Sequence, residues 1–349
     1  MKGILVTGGY GFIGSNFIRY VLENTDYGII NIDKITPQSH PESLHELELN
    51  VRYLFIEMDI CDADTVYHML HNIDYIVNFA AETHVDRSIG AWEKKSTQKD
   101  RWQTGRDDFI HTNVLGVQRM LELAKRIKGL KRFVQISTDE VYGSVEMASF
   151  EEDAFNTTNP YSATKGAGEL MANAYFHTFG MPVCVTRSCN NYGAWQGSEK
   201  LIPLTILRAL EDKSMPVYGS GKNKRDWIFV EDNIRAILAV MERGVAGKAY
   251  NIPGYNTKSN NEIIKIILKA LGKPEELMVT TRDRPGHDWE YRMDGEWIRC
   301  EMGWSPQVTL EDGLLKTIDF YRHNAEYFKE EQKRSGVLDR INVLLEASN

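Results

Sequence analysis

The chain has 349 residues, 42% hydrophobic and 26% charged, the usage of an ordinary globular protein, which excludes disordered, collagenous and long coiled-coil classes. The length suggests about two domains at roughly 150 residues each, although large α/β enzymes often form one continuous core. The 49 acidic and 41 basic residues leave a net charge of −8, the wrong electrostatic footprint for a nucleic-acid or anionic-membrane binder.

At the start of the chain, Met1-Lys2 leads directly into the apolar run Gly3-Ile4-Leu5-Val6, without a signal-peptide pattern. No apolar run reaches the roughly 18 residues a membrane span needs, so a soluble, cytoplasmic protein is expected. Apolar β-rich runs follow at Ile4 to Thr7, Gly28 to Asp33, Arg52 to Asp59, Tyr75 to Ala80, Arg132 to Ser137 and Pro182 to Ser188, alternating with helical patterns. Such alternation predicts βαβ units, and strands that are apolar throughout predict a parallel sheet buried on both faces. From about Leu201 the pattern shortens and mixes, with helices predicted near Glu231 to Arg243 and Asn260 to Leu271. Lys248 to Ile252 and Thr186 to Asn191 read as strands able to return to the main sheet. The expected fold is therefore α/β, a doubly wound parallel-sheet Rossmann fold with a smaller, interleaved C-terminal substrate lobe. The nucleotide-binding part spans residues 1–188, completed around 226–252; the lobe is mainly 189–330, and 331–349 form a tail. The whole stretch after Tyr321 is expected to be a solvated helix with a frayed end. Cys61, Cys184, Cys189 and Cys300 are spaced too irregularly for a disulfide framework or a zinc site; buried reduced thiols and no metal are expected.

The first chemical motif is Thr7-Gly8-Gly9-Tyr10-Gly11-Phe12-Ile13-Gly14, placed directly after a strand and opening a helix. Its glycines allow a tight turn and a close approach of backbone N–H groups to a pyrophosphate at the positive helix end. Asp33 ends the second strand, 19 positions after Gly14, where a carboxylate accepts hydrogen bonds from an adenosine ribose and repels a 2′-phosphate. NAD is thus favoured over NADP.

Tyr161 and Lys165 stand four apart at the start of a helical pattern covering Ala163 to Phe176, so one face presents both. An ammonium there can lower the phenol pKa and bind the cofactor ribose, making Tyr161 a base for hydride-transfer chemistry. The spacing alone is weak evidence: with 16 tyrosines, about one Tyr-x-x-x-Lys arises by chance. Tyr218/Lys222 is a second match, but in a glycine-rich turn where the side chains need not share a face. Ser137-Thr138-Asp139-Glu140 follows an apolar strand, placing two adjacent carboxylates at the edge where doubly wound sheets bind ligands. Beside a dehydrogenase pair, two carboxylates suggest acid and base steps beyond redox.

With these motifs the chain resembles the extended short-chain dehydrogenase/reductases, and most closely the dTDP-glucose 4,6-dehydratases. The resemblance runs through the glycine loop, Asn78-Phe79-Ala80-Ala81-Glu82-Thr83-His84-Val85-Asp86-Arg87-Ser88, Ser137 to Gly143, the Tyr161/Lys165 pair and Asn190-Asn191-Tyr192-Gly193. It continues through Glu199-Lys200-Leu201-Ile202-Pro203, Arg225-Asp226-Trp227 and Arg284-Pro285-Gly286-His287-Asp288. The resemblance implies that Tyr161, supported by Thr138, deprotonates a sugar 4-hydroxyl while hydride passes to NAD. Glu140 then removes the C5 proton, and Asp139 protonates the departing C6 hydroxyl. On the cofactor side it implies Gly8, Gly11, Phe12, Ile13, Gly14, Asp33, Lys34, Thr36, Asp59, Ile60, Ala80, Ala81, Thr83, Thr112, Tyr161, Lys165 and Asn191. On the substrate side it implies His84, Thr138, Asn190, Lys200, Leu201, Pro216, Tyr218, Arg225, Asn260, Arg284 and His287, with Pro216 and Tyr218 packing on the nucleobase. The implied partners are a nucleoside-diphosphate sugar and a second copy of the chain, the latter through Phe109 to Lys128 and the helix after Tyr161.

Departures from the family pattern occur at Pro37-Gln38-Ser39-His40, at Ala194, at Gly197-Ser198 and at Gly90 to Asp108, a longer stretch carrying Trp92 and Trp102. They leave the acid pair and the Tyr/Lys pair intact and bear on substrate identity; the long stretch is expected either as a loop at the substrate mouth or as a solvated insertion. A 4-epimerase or decarboxylase would need Tyr161 and Lys165 but not the two carboxylates. A 5,6-dehydratase is a further reading, and a non-catalytic NAD-sensing protein would need neither set.

Overall fold

The computed structural model describes residues 2–90 and 106–346; most of the long stretch from Gly90 to Asp108, with both its tryptophans, lies outside them. In chain order come β1 (Gly3–Thr7), α1 (Phe12–Asn24), β2 (Gly28–Asp33), β3 (Tyr53–Glu57) and β4 (Ile73–Asn78), with 3-10 turns at Pro41–Leu47 and Ile60–Met69. Next are α2 (Val85–Ser88) and α3 (Arg106–Ile110), then a π-helical segment, His111–Gly116, that continues as α4 (Val117–Arg126). β5 (Arg132–Thr138), α5 (Pro160–Phe179), β6 (Val183–Ser188), β7 (Asn190–Tyr192), α6 (Leu201–Leu210), β8 (Met215–Tyr218), β9 (Lys224–Arg225) and β10 (Trp227–Phe229) follow. The remainder is α7 (Val230–Arg243), β11 (Ala249–Ile252), β12 (Lys258–Ser259), α8 (Asn260–Leu271), β13 (Met278–Thr281), α9 (Glu296–Met302), α10 (Leu310–His323), α11 (Ala325–Ser335) and α12 (Val337–Glu346).

Seven parallel strands form the central sheet in the order β11-β6-β5-β4-β1-β2-β3. The chain reverses direction across the sheet between β1 and β4, and that crevice is where such sheets bind ligands. Ile4 and Val6 join one core layer with Phe17, Ile18 and Val21 of α1 and Ile237 of α7, whereas Leu5 joins the opposite layer with Met120, Leu121 and Leu123 of α4. Alternate residues of one strand thus enter two cores, which is why the strands are apolar throughout. Each such buried side chain contributes about 1.5–3 kcal/mol. β11 pairs with β6 at the sheet edge, Ala249 opposite Val185, as expected for Lys248 to Ile252.

A further core gathers Ile202 and Ile206 of α6, Ile263 and Ile267 of α8, Leu314 and Ile318 of α10 and Phe328 of α11. The expectation of a solvated tail is overturned: Phe328 is fully buried, and Val337 and Ile341 of α12 are each 2% exposed. The cysteines are all free thiols, but Cys300 is exposed and Cys61 only half-buried, contrary to the expectation of burial. No described helix is long and apolar enough to cross a membrane.

Candidate active site

A cavity of about 330 Å³ opens along the carboxyl edge of the sheet. β1 delivers Gly8 to Gly14 to it, β2 delivers Asp33, Lys34 and Thr36, β3 delivers Asp59 and Ile60, and β4 delivers Ala80, Ala81 and Thr83; Thr112, Tyr161, Lys165 and Asn191 complete the set expected on the cofactor side. The glycines are required here by space. Gly8 has φ +69°, and a Cβ on it would lie 2.7 Å from Ala80 Cα; a Cβ on Gly14 would lie 2.3 Å from the Gly8 carbonyl oxygen. α1 has no side-chain cap and no acidic residue in its first turn, so its leading N–H groups and positive dipole end are left for an anion. Asp33 is buried. Its Oδ2 accepts the Tyr10 N–H and its Oδ1 the Ile35 N–H, both at 2.9 Å, which counters the upward pull of burial on its pKa and fixes the carboxylate beside the cavity. These features fit a dinucleotide.

Asp59, Cys61 and His111 converge at the same end. Burial and the Asp59 charge push the Cys61 thiol up to about 12, and the Lys34 ammonium stands 3.6 Å from Asp59; a protonated thiol and a neighbouring cation make a poor metal site.

The floor of the cavity is built by β5 and α5. Thr138 ends β5 and caps the following 3-10 turn, its Oγ1 accepting the Glu140 N–H at 3.3 Å and donating to Asp139 Oδ1 at 3.1 Å. Asn159 and Ser162 form a capping box and Pro160 opens the helix, so α5 begins earlier than the predicted Ala163 and Tyr161 sits in its first turn. α5 is tied to the sheet by a buried ion pair, Glu169 to Arg187, whose Nε–H lies 3.0 Å from Oε1; Arg187 also donates to the Tyr142 hydroxyl and the Glu151 carbonyl. The π-helical segment sets Thr112 on the cavity, while Asn113 receives the Glu82 N–H at 2.9 Å and donates to Thr164 at 2.9 Å.

Burial raises the pKa of Asp139 well above the usual range, and Glu140 beside it raises it further; burial also raises Glu140, but Arg284, Arg225 and Lys200 pull it back. The two carboxyls thereby sit in unequal electrostatic surroundings, a separation suited to acid and base roles. The expected lowering of the Tyr161 phenol by Lys165 is not found. Burial and the two carboxylates raise it, against the Thr138 hydrogen bond that lowers it. Lys165 instead donates from Nζ to the Ile136 carbonyl at 2.6 Å, and burial brings its pKa down to about 8.

A second cavity, about 220 Å³, meets the first at Thr83, Glu140, Asn190, Glu199 and Lys200. The other positions expected on the substrate side line it: His84, Leu201, Pro216, Tyr218, Arg225, Asn260, Arg284 and His287. Arg225 donates to the Asp288 carbonyl at 3.0 Å and lies over the Tyr291 ring at 4.3 Å. Asp86 accepts the Tyr218 hydroxyl at 2.8 Å and pairs with Arg284 at 3.3 Å. Lys222 is exposed in its turn, whereas Tyr161 and Lys165 both line the first cavity. Sequence reasoning did not single out Asp86, although it lies in the quoted run from Asn78 to Ser88. It also missed the wall contributed by Val337, Arg340, Ile341 and Leu344, for which the only signal was the apolar spacing of the tail.

The family model described as GDP-mannose 4,6 dehydratase matches residues 5–317. The dTDP-glucose 4,6-dehydratase of Haemophilus influenzae is 42% identical over 93% of this chain and 99% of its own length, and one from Escherichia coli is 40% identical over 98% and 99%. The crystal structure of the Streptomyces venezuelae dTDP-glucose 4,6-dehydratase, which holds NAD, superposes with a TM-score of 0.87 at 38% identity, covering 94% of this chain and 99% of that one. Since the matched residues include the glycine turn, the acid pair and the Tyr161/Lys165 helix, the chain belongs to the nucleotide-sugar 4,6-dehydratase family of the extended short-chain dehydrogenase/reductases.

Proposed function

We propose that this protein is an NAD-dependent nucleoside-diphosphate-hexose 4,6-dehydratase that converts dTDP-glucose to the dTDP-4-keto-6-deoxy sugar and water. The observation that carries this reading is the adjacent pair of buried Asp139 and half-buried Glu140, unequal in electrostatic surroundings, with Glu140 at the point where the two cavities join. A 4-epimerase or decarboxylase would have no use for that pair, and neither would a protein that only senses NAD.

The glycine turn, Asp33 and Lys165 are the residues that would hold NAD, which supplies the acceptor for the C4 hydride and its return to C6. Tyr161 Oη, assisted by the Thr138 hydroxyl, takes the proton of the sugar 4-hydroxyl. The Lys165 ammonium, already desolvated, favours the phenolate once it is drawn from the Ile136 carbonyl. The 4-ketone acidifies C5, and Glu140 takes that proton. Asp139 gives its proton to the C6 hydroxyl, which departs as water. Glu140 returns a proton to C5, and the proton held by Tyr161 makes good the one lost from Asp139. Lys200, Arg225 and Arg284 would face the diphosphate as charge-assisted donors, with Asn190, Asn260 and His287 alongside and the Tyr218 ring against the base.

We assign the nucleotide role to residues 1–188 with 226–252, and the substrate role mainly to 189–330. Ile110 on α3 and Leu170 and Phe179 on α5 are 61%, 59% and 52% exposed, which supports a homodimer through these helices. We further propose that the protein is cytoplasmic. Incubating the purified protein with dTDP-, UDP-, CDP- and GDP-hexoses, with products read by mass and NMR, tests the reading. Loss of one water with a 4-ketone and a 6-methyl group is expected with dTDP-glucose. An isomer of unchanged mass, or an exocyclic enol ether, would overturn it.

A further inference from the structure

Helix α12 lies beyond residue 317, where the match to the family model ends, yet it walls the substrate-side cavity. Val337, Arg340, Ile341 and Leu344 share one helical face, and all four line that cavity. The helix packs on β8 and β13, next to Tyr218. The Arg340 guanidinium lies near the Tyr218 hydroxyl, and its Nε–H is buried without a hydrogen-bond partner among the described residues. Together with Lys200, Arg87 and Arg284, Arg340 also lies near enough to His84 to oppose its protonation.

The wall is anchored through α11. Phe328 is fully buried in the lobe core, the Tyr327 hydroxyl is 2.9 Å from His40 Nδ1, and the Ser198 hydroxyl donates to Glu331. His40 and Ser198 are positions where the chain departs from the family pattern, so two of the departures are points at which the tail docks.

Four cations, Lys200, Arg225, Arg284 and Arg340, line this cavity against three carboxylates, Asp86, Glu140 and Glu199, and a buried Nε–H left without a partner is costly unless an acceptor joins it. We propose that α12 is part of the nucleotide-sugar site and that Arg340 contacts the diphosphate of the substrate, beside Lys200, Arg225 and Arg284. The inference rests on the nucleotide-sugar reading above.

The test compares wild type with Arg340→Gln and Arg340→Lys. Melting temperature and NAD content establish that each variant is folded; should the Gln variant not fold, the Lys variant, which keeps the charge but loses the planar fork, carries the comparison. Steady-state kinetics with dTDP-glucose and calorimetric binding of dTDP and of thymidine are measured for each. The Gln variant is expected to raise KM and the dTDP Kd by tenfold or more, with kcat within twofold. Thymidine binding should change less than threefold, and the Lys variant should fall between wild type and Gln. KM and dTDP Kd within twofold of wild type in both variants would reduce α12 to a structural wall and overturn the proposal. An equal loss for thymidine and dTDP would overturn the diphosphate contact. If wild type binds no dTDP, the substrate reading fails separately, and the comparison is repeated with whichever of UDP, CDP or GDP binds; binding of none of them defeats both.

Discussion

Replacing Gly14 by alanine tests the cofactor turn through its geometry. The added Cβ would lie 2.3 Å from the Gly8 carbonyl oxygen and 3.0 Å from the Gly9 Cα, where ordinary contact begins at 3.4 Å. Either the turn or the start of α1 must therefore move by about 1 Å, the scale at which overpacking becomes costly. Gly8 cannot yield freely, because its N–H donates to the Ile32 carbonyl at 2.9 Å and its own carbonyl accepts the Gly11 N–H at 3.1 Å. Overpacking against a pinned backbone costs about 1–3 kcal/mol, which is roughly a 5- to 150-fold loss of NAD affinity when it falls on the binding turn. Calorimetric titration of NAD into stripped protein reads this directly. Gly129→Ala is the control: Gly129 has φ +81° but nothing within 4 Å, so the substitution should cost roughly 1–2 kcal/mol of stability without changing NAD affinity. A Gly14→Ala protein that binds NAD within twofold of wild type would refute the placement of the pyrophosphate on this turn.

Glu140→Gln should slow loss of the C5 proton by roughly 10²- to 10⁴-fold, the usual share of a general base, while C4 oxidation stays measurable by absorbance at 340 nm; elimination at the wild-type rate would remove Glu140 from that role. Glu169→Ala leaves the Arg187 charge uncompensated at a site where the two side chains are 0% and 4% exposed, and should lower unfolding stability by about 3–5 kcal/mol in denaturant titrations; a change below about 1 kcal/mol would contradict the buried-pair account. Burial, reinforced by Glu199, raises Glu331 to about 7 from its ordinary 4.5, so the folded state favours the protonated form. Its contribution to stability is complete below pH 4.5 and is lost as pH rises through 7. Glu331→Gln should therefore raise the melting temperature at pH 8, by the equivalent of roughly 3 kcal/mol, and change little at pH 4.5; an equal shift at both pH values would count against it.

What could be read from the sequence was what short-range chemistry determines. Asn260–Leu271 was legible to the residue because Ser259 with Glu262 forms a capping box at one end and Gly272, at φ +65°, closes the other. The sheet was legible because strands buried on both faces leave an unbroken apolar run. The glycine turn, Asp33, the carboxylate pair and Tyr161/Lys165 were legible because each is a local motif following a strand or opening a helix. Long-range effects were hidden. The predicted helix from Phe109 to Lys128 carries a π-helical segment at His111–Gly116, which 3.6-residue periodicity does not reveal. The phenol of Tyr161 responds to Asp139 and Glu140, separated in sequence but gathered by β5 and α5, more than to the lysine one turn away. The tail reads as a polar helix until Phe328, Val337 and Ile341 find partners that only the folded lobe supplies.

The central claim is that one hydride leaves C4 and returns at C6 around an elimination run by Glu140 and Asp139. Turnover of dTDP-glucose carrying deuterium at C4, followed by NMR of the product, tests it most directly. Deuterium is expected in the C6 methyl group of the 4-keto-6-deoxy sugar. Deuterium retained at C4 of an epimer, or washed out into water, would contradict it.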